Sequence, residues 1–184
     1  CAELYGLNPD IVTYGKALGG GVPMAAIGGS NEIMSGLEWG KVLHYGTHNG
    51  GRLALHICKT MLTTMLDDNQ AGFKRMRKLG EKMTAEIQKV FQESGKQKMI
   101  CQGVSSMFQI FFTEKEEITD YREFCEHVDR IKFRDFAVKL FDKGIYMNPS
   151  ATLHSLSSIV HTEKDIDVTA KAIAEVVREM DNDI

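Results

Sequence analysis

Apolar residues recur every three or four positions in two neighbouring stretches of the chain, residues 53–66 and 76–90. This spacing places them on one face of an α-helix, so each stretch predicts an amphipathic helix. The polar run Asp67–Gln70 lies between the stretches and predicts a break there. The apolar positions are Leu53, Ala54, Ile57, Cys58, Met61, Leu62, Met65 and Leu66, then Met76, Leu79, Met83, Ile87 and Val90.

The second half of the chain mixes strand and helix patterns. Residues 104–113 and 155–160 are predicted as strands, whereas residues 121–143 and the residues after Thr162 are predicted as helices. This order predicts a small α+β domain with helices on one side of an antiparallel sheet.

The polar segment Glu93–Lys98 contains Gly95 and precedes this change of pattern. Such segments commonly separate domains. We therefore predict two domains, residues 1–95 and residues 96–184.

Lys16 is the first candidate functional residue. The β-prone run Ile11–Tyr14 ends at Gly15, so Lys16 is expected at the end of a buried strand, and the glycines Gly19–Gly21 follow it. A partly desolvated lysine amine can condense with an aldehyde, and glycines let a ligand approach the backbone closely. The alternative is a solvated lysine at a strand end. The order of lysine and glycines fits neither a P-loop nor a dinucleotide-binding motif.

A second glycine-rich turn, residues 46–51, precedes the first predicted helix. Gly46 and Thr47 offer backbone N–H groups and a hydroxyl there. Because a helix N-terminus is electropositive, this turn is a candidate anion site. The alternative interpretation is an ordinary loop with a helix cap.

Composition limits the function classes. The chain has 184 residues, of which 43% are hydrophobic and 26% charged, with a net charge of −3, so we expect a soluble globular protein without a nucleic-acid partner. No apolar run is long enough to span a membrane. Because the chain starts with cysteine instead of methionine, we expect it to be a fragment.

Cysteine and histidine usage indicates neither disulfides nor a metal site. The four cysteines lack the spacing of a zinc ribbon or of a secreted disulfide scaffold, which favours reduced thiols and a cytoplasmic location. His44 and His48 are four residues apart, but the glycines around them argue against one continuous helix, so we expect no metal. The cysteines are Cys1, Cys58, Cys101 and Cys125.

Two strings of residues carry a family resemblance. Residues 8–29, NPDIVTYGKALGGGVPMAAIGG, resemble the pyridoxal-phosphate lysine segment of the class III aminotransferases, and most of all that of the glutamate-1-semialdehyde 2,1-aminomutases. Residues 144–150, GIYMNPS, and the later SSIVHTEKDID are similar to the ending of the same proteins. The resemblance implies the C-terminal part of a fold-type I large domain (α/β), followed by a small α+β domain.

The resemblance also assigns roles to the candidate residues. Lys16 would hold pyridoxal 5'-phosphate as an internal aldimine and act as the catalytic residue. Gly46 and Thr47 would contact the cofactor phosphate from the neighbouring subunit of a homodimer. Relatives commonly have Asn-Pro where this chain has Gly51-Arg52.

The implied function is pyridoxal-phosphate-dependent amino-group transfer on a small amino substrate, of the aminomutase type. In the family, the carboxylate at the pyridine nitrogen and the aromatic stacked on the ring precede the lysine. We therefore predict that this chain alone is inactive and needs the missing N-terminal half. The alternatives are an aminotransferase for another amino acid or amine, another pyridoxal-phosphate reaction such as decarboxylation or racemisation, or a non-catalytic remnant that only associates with a partner.

Overall fold

The computed structural model describes residues 2–38, 41–94 and 96–182. Its first strands, β1 (Ile11–Tyr14) and β2 (Ala26–Gly29), form an antiparallel pair. The apolar run Pro23–Ile27 predicts the returning strand, but β2 begins later than this run. Pro23 has no N–H to donate to a strand partner, and β2 pairs with β1 only from Ala26 onwards. Helix α1 (Asn31–Met34) follows β2 directly.

Helix α2 (Arg52–Gln92) is interrupted at the predicted polar break. Asp67 has a ψ of 159°, and Asp68, Asn69 and Gln70 have φ values of 45°, 55° and 64°, in the left-handed region. Left-handed backbone costs an L-residue about 1–2 kcal/mol, although Asp and Asn tolerate it better than most residues. The two predicted helical stretches and the break between them are confirmed.

Gln70 offers a stability test of this break. Gln70→Gly is expected to raise the free energy of unfolding by about 0.5–1 kcal/mol, because glycine adopts positive φ without a steric penalty. The matched change Glu81→Gly, at an exposed helical position of α2, is expected to lower it by about 1 kcal/mol. Urea unfolding followed by circular dichroism measures both. Destabilisation by Gln70→Gly would show that residue 70 is helical in solution.

The second half of the chain contains a three-stranded antiparallel sheet in the order β3-β4-β5. Its strands are β3 (Met99–Val104), β4 (Met107–Phe112) and β5 (Ser155–Leu156). The predicted strand at residues 155–160 is therefore much shorter in the structure. The predicted antiparallel α+β arrangement is present.

The prediction missed β3. It placed one strand at 104–113, whereas the structure has a hairpin that turns at Ser105, with φ of 59°. Met99 and Cys101 of β3 are buried, but Gln102 and Gly103 interrupt the apolar alternation. Strand β3 is therefore established by pairing with β4, which local periodicity does not report.

Three helices accompany the sheet: α3 (Tyr121–His127), α4 (Arg130–Asp142) and α5 (Glu163–Asn182). The prediction of one continuous helix over 121–143 was wrong. Asp129 interrupts it, because its carboxylate accepts hydrogen bonds at 3.1 and 2.9 Å from the first backbone N–H groups of α4. An Asp in this position starts a new helix.

Helix α5 starts with a capping box. The carboxylate of Asp165 accepts hydrogen bonds from the backbone N–H and the hydroxyl of Thr162, both at 2.7 Å, and the Asp165 N–H donates to the Thr162 hydroxyl oxygen at 3.4 Å. These reciprocal bonds satisfy N–H groups that a helix start otherwise leaves unpaired. They also lower the pKa of Asp165 below its ordinary value of 3.8, mainly through the Thr162 hydroxyl and then through its N–H.

This shift predicts an acid dependence of stability. A carboxylate whose pKa is lower in the folded state stabilises the fold above its unfolded pKa and loses that contribution as the pH falls through the folded pKa. The free energy of unfolding should therefore fall below pH 3.8, and Asp165→Asn should flatten that fall. Asp167→Asn is the matched control, since Asp167 accepts no hydrogen bond in the part of the chain described. Identical acid profiles for wild type and Asp165→Asn would contradict the prediction.

The chain forms two compact units, Cys1–Ala71 and Gly72–Ile184. The hydrophobic core of the second unit is formed by the second half of α2, the sheet and the helices α3 to α5. Its largest fully buried side chains are Phe133, Phe136, Ile87, Ile110, Leu140, Ile166, Ile173 and Val176.

The division at Ala71 lies earlier than the predicted boundary near residue 95, because the second half of α2 contacts the C-terminal elements. Arg75 Nε donates to the carbonyl of Ile159 at 3.0 Å. At Gly80 the helix lies so close to the hairpin turn that a Cβ would overlap the carbonyl oxygen of Ser105. Gly95 itself lies outside the described residues. The domain boundary of 1–95 and 96–184 stays a prediction.

Candidate active site

Lys16 lies where β1 ends. After Tyr14, Gly15 is extended and Lys16 begins a 3-10 turn, Lys16–Gly19, with a φ of 51°. A left-handed lysine is uncommon, and such conformations persist where the surrounding structure imposes them, often at functional sites. Lys16 therefore lies at a strand end as expected, but the prediction that this strand is buried was wrong, because Ile11, Thr13 and Tyr14 of β1 are exposed in the described part of the chain. The left-handed backbone is a feature that the sequence did not indicate.

The segment after Lys16 is a series of tight turns. The N–H groups of Leu18, Gly20 and Val22 donate to the carbonyls of Gly15, Ala17 and Gly19 at 3.2, 3.0 and 3.2 Å. Gly20 and Gly21 have φ values of 58° and 103°. The backbone that carries Lys16 is thus held by its own hydrogen bonds.

The Lys16 side chain is exposed, and its amine makes no hydrogen bond or ion pair with any residue that the structure describes. An amine without such a partner is open to a ligand. The partial desolvation that favours condensation with an aldehyde is therefore not present at Lys16 among the described residues.

Gly46 and Thr47 lie in the turn before α2, and both are exposed. The Asn49 N–H donates to the Gly46 carbonyl at 3.0 Å and the Gly51 N–H donates to the His48 carbonyl at 3.3 Å. The hydroxyl and N–H of Thr47 have no hydrogen-bond partner within residues 2–38, 41–94 and 96–182. They are free to bind an anion. No described hydrogen bond joins this turn to Lys16, so its phosphate role stays a prediction.

The described residues also bear on a metal site, a membrane span and a cysteine nucleophile. They contain no group of three His, Cys, Asp or Glu side chains that could hold a metal ion. None of the helices described is long and apolar enough to cross a membrane. Burial raises the pKa of the Cys101 thiol to about 12, so it is not a nucleophile at neutral pH.

The sequence did not predict a cavity of about 550 Å³ that the second unit contains, although part of its wall lies in the strings GIYMNPS and SSIVHTEKDID. Its wall combines the apolar side chains of Met83 and Phe108 with the polar ones of Asn148, His161 and Asp165. The His161 Nδ1 already accepts a hydrogen bond from the Ser158 N–H at 2.9 Å. Because these residues come from separate segments of the chain, only the tertiary structure brings them together.

The first unit exposes an unusual number of large apolar side chains. Within residues 2–38 and 41–71, the buried hydrophobic side chains are those of Cys58 and Met65. A unit of this size usually buries many more. The exposed ones are Leu4, Tyr5, Leu7, Ile11, Tyr14, Ile27, Ile33, Val42, Leu43, Tyr45, Leu53, Leu55 and Leu66.

Comparison with known proteins supports the family resemblance of the lysine segment. The model of the family described as aminotransferase class-III matches residues 1–177. A glutamate-1-semialdehyde 2,1-aminomutase from Thermus thermophilus is 35% identical over 176 residues, which are 95% of this chain and 40% of that protein.

Solved structures show the same fold. An omega-transaminase from Sphaerobacter thermophilus superposes with a TM-score of 0.82 at 22% identity, over 96% of this chain and 40% of that chain. A structure described as a transaminase with PLP bound gives a TM-score of 0.78 at 22% identity, again over 96% and 40%. These likenesses confirm the predicted fold class, that of fold-type I pyridoxal-phosphate enzymes.

The chain spans about 40% of the length of the curated relatives it matches. The family match nevertheless covers almost all of it, from the lysine segment to the last helix. On that match, the chain belongs to the class III aminotransferase family.

Proposed function

We propose that this chain is part of a pyridoxal-phosphate enzyme of amino-group transfer, of the glutamate-1-semialdehyde 2,1-aminomutase type. The observation that carries the proposal is Lys16: an exposed amine with no partner among the described residues, on a left-handed residue at a strand end, within a class III aminotransferase sequence. The aminomutase assignment draws on curated relatives of that name at 33 to 36% identity.

The described residues fit this cofactor. Pyridoxal phosphate presents an aldehyde and a phosphate, which call for an amine and for hydrogen-bond donors. Lys16 supplies an amine, for which the described part of the chain offers no competing partner. Thr47 supplies a hydroxyl and an N–H, also unpaired among the described residues, in a turn that precedes a helix N-terminus.

When bound, pyridoxal phosphate supplies an electron sink that stabilises negative charge on the substrate carbon. Lys16 would hold the cofactor covalently through Nζ until an amino substrate takes its place. The released Lys16 amine would then accept the proton from the substrate α-carbon as a general base and return it as a general acid. Lys16 would thus both bind the cofactor and move the proton.

The phosphate role of Gly46 and Thr47 belongs to an assembly. We infer a homodimer in which the turn at residues 46–47 contacts the cofactor held by Lys16 of the other subunit. The absence of a hydrogen bond between this turn and Lys16 among the described residues is compatible with that arrangement. Size-exclusion chromatography with light scattering tests the dimer, and Thr47→Ala should weaken phosphate binding without removing the lysine attachment.

We also propose that this chain alone is inactive and that the complete protein is cytoplasmic. The exposed apolar side chains of the first unit support the first statement, since they indicate a surface that further protein covers. The same surface is also expected under the competing hypothesis of a non-catalytic remnant that associates with a partner. Cofactor attachment at Lys16 distinguishes the two hypotheses, because only the enzyme hypothesis requires it.

An aminotransferase acting on another amino acid or amine is the second candidate within the enzyme class. It is favoured by the structural likeness to transaminases. Assaying the complete protein with glutamate-1-semialdehyde alone, and then with an amine and a separate keto acceptor, distinguishes the two reactions. An aminomutase converts glutamate-1-semialdehyde without a separate keto acceptor.

The test of the proposed function is chemical labelling. Pyridoxal phosphate is added to the chain, the bond to lysine is fixed with borohydride, and peptides are mapped by mass spectrometry. We expect label at Lys16 above that at the exposed lysines Lys41 and Lys59. If the chain shows no preference for Lys16, the same labelling of the complete protein decides: no preference there contradicts the proposed function.

A further inference from the structure

Gly20 closes the turn that begins with Lys16. Its φ is 58°, and its N–H donates to the Ala17 carbonyl at 3.0 Å. The residue before it, Gly19, is buried although the rest of the turn is largely exposed. The turn therefore contacts the protein at its glycine end while its lysine end stays open.

The contact of Gly20 is with α2. A Cβ placed on Gly20 would lie 3.3 Å from Ile57 Cγ2 and 3.3 Å from Met61 Cβ. These separations are tighter than about nine in ten real contacts of a Cβ, so a side chain at residue 20 would push the turn or the two α2 side chains apart by a few tenths of an ångström. The Lys16 turn thus approaches α2 closely at Gly20, which leaves little room for a side chain on that side.

We propose that Gly20 is a positioning residue for Lys16. By lying directly against Ile57 and Met61, it holds the turn on α2 and so fixes the backbone from which the Lys16 amine extends. The contact adds to the hydrogen bonds within the turn in holding the left-handed backbone of Lys16, a conformation that persists only where the surrounding structure supports it. In this role Gly20 acts through the backbone alone. The inference deepens the proposed function and rests on it for the role of the amine.

The first measurement does not involve the cofactor. In Gly20→Ala, amide hydrogen exchange at Leu18 and Val22, whose N–H groups close the neighbouring turns, is expected to speed up about tenfold. Gly6→Ala is the matched control for backbone strain, because Gly6 also ends a 3-10 turn, at a φ of 63°, but a Cβ placed on it would have no atom within 4 Å. It should change exchange near residue 6 and leave the Lys16 turn unaffected.

A rescue experiment distinguishes the contact between residues 20 and 57 from the backbone strain of a positive φ at residue 20. Ile57→Leu removes the γ2 methyl group while keeping the side-chain volume. In the Gly20→Ala background, Ile57→Leu is expected to slow amide hydrogen exchange at Leu18 and Val22 by at least about threefold, toward the wild-type rate. Such a result is the non-additivity expected of residues in contact. Strain from positive φ alone would not be relieved by a change at residue 57. No acceleration in Gly20→Ala, or no rescue by Ile57→Leu, would overturn the inference.

The second measurement follows the lysine. After pyridoxal phosphate and borohydride, the ratio of label at Lys16 to label at Lys59 is expected to fall about fivefold in Gly20→Ala and to stay unchanged in Gly6→Ala. An unchanged ratio in Gly20→Ala, despite faster exchange, would show that Gly20 holds the turn without positioning the amine, and so contradicts the proposal. A complete protein whose wild type shows no preference for Lys16 contradicts the proposed function instead, and the exchange data still decide whether Gly20 holds the turn.

Discussion

Lys16→Ala is expected to abolish covalent attachment of pyridoxal phosphate and to reduce amino-group transfer by the complete protein by about 10²–10⁴-fold from the lost proton transfer alone. The reason is that Lys16 would be both the amine that holds the cofactor and the base that moves the substrate proton. Activity on glutamate-1-semialdehyde and the absorbance of the bound cofactor measure the two effects.

Two further variants make this result specific. Lys16→Arg keeps the positive charge but provides no amine for attachment, so it should be as inactive as Lys16→Ala. Lys59→Ala removes an exposed lysine of α2 and should leave activity unchanged. Activity of Lys16→Ala within about tenfold of wild type would contradict the assignment of Lys16.

Phe136→Ala is expected to destabilise the second unit by about 3–5 kcal/mol. Phe136 is fully buried, with its ring 5.5 Å from that of Phe112 and 6.3 Å from that of Phe133, between centroids. Its removal leaves a cavity where α4 contacts the sheet. The midpoint of urea unfolding, followed by circular dichroism, measures the loss.

Phe141→Ala is the matched control on the same helix. Phe141 is 64% exposed, and its ring contact is with Tyr146, at 6.4 Å between centroids. We expect it to cost less than about 1 kcal/mol. Equal losses in the two variants would mean that α4 presents a different face to the core in solution.

Local patterns predicted the elements that local interactions stabilise. The break at Asp67–Gln70 was predicted correctly, because polar residues that tolerate left-handed backbone stand together there. The helix over 121–143 was predicted as one element because its apolar spacing continues across Val128 and Asp129. A spacing pattern does not report which Asp caps a new helix, since that depends on where the chain turns to reach the sheet.

Strand β3 is an element that local sequence patterns did not predict. Its residues gain their hydrogen bonds from β4, so the strand depends on pairing that a scan of its own residues cannot detect. The cavity lined by Met83, Asn148 and His161 was missed for the same reason, because its wall comes from segments far apart along the chain.

The sequence by itself determined the helical stretches of α2, the place of Lys16 at a strand end, the α+β pattern of the second half and the family of the chain. These depend on residues close together in sequence, or on strings long enough to compare. The tertiary structure decided the close approach of Gly20 to Ile57 and Met61 and that of Gly80 to the hairpin. Each of these requires two segments to meet, and how they meet follows from the packing of side chains that lie far apart in the chain.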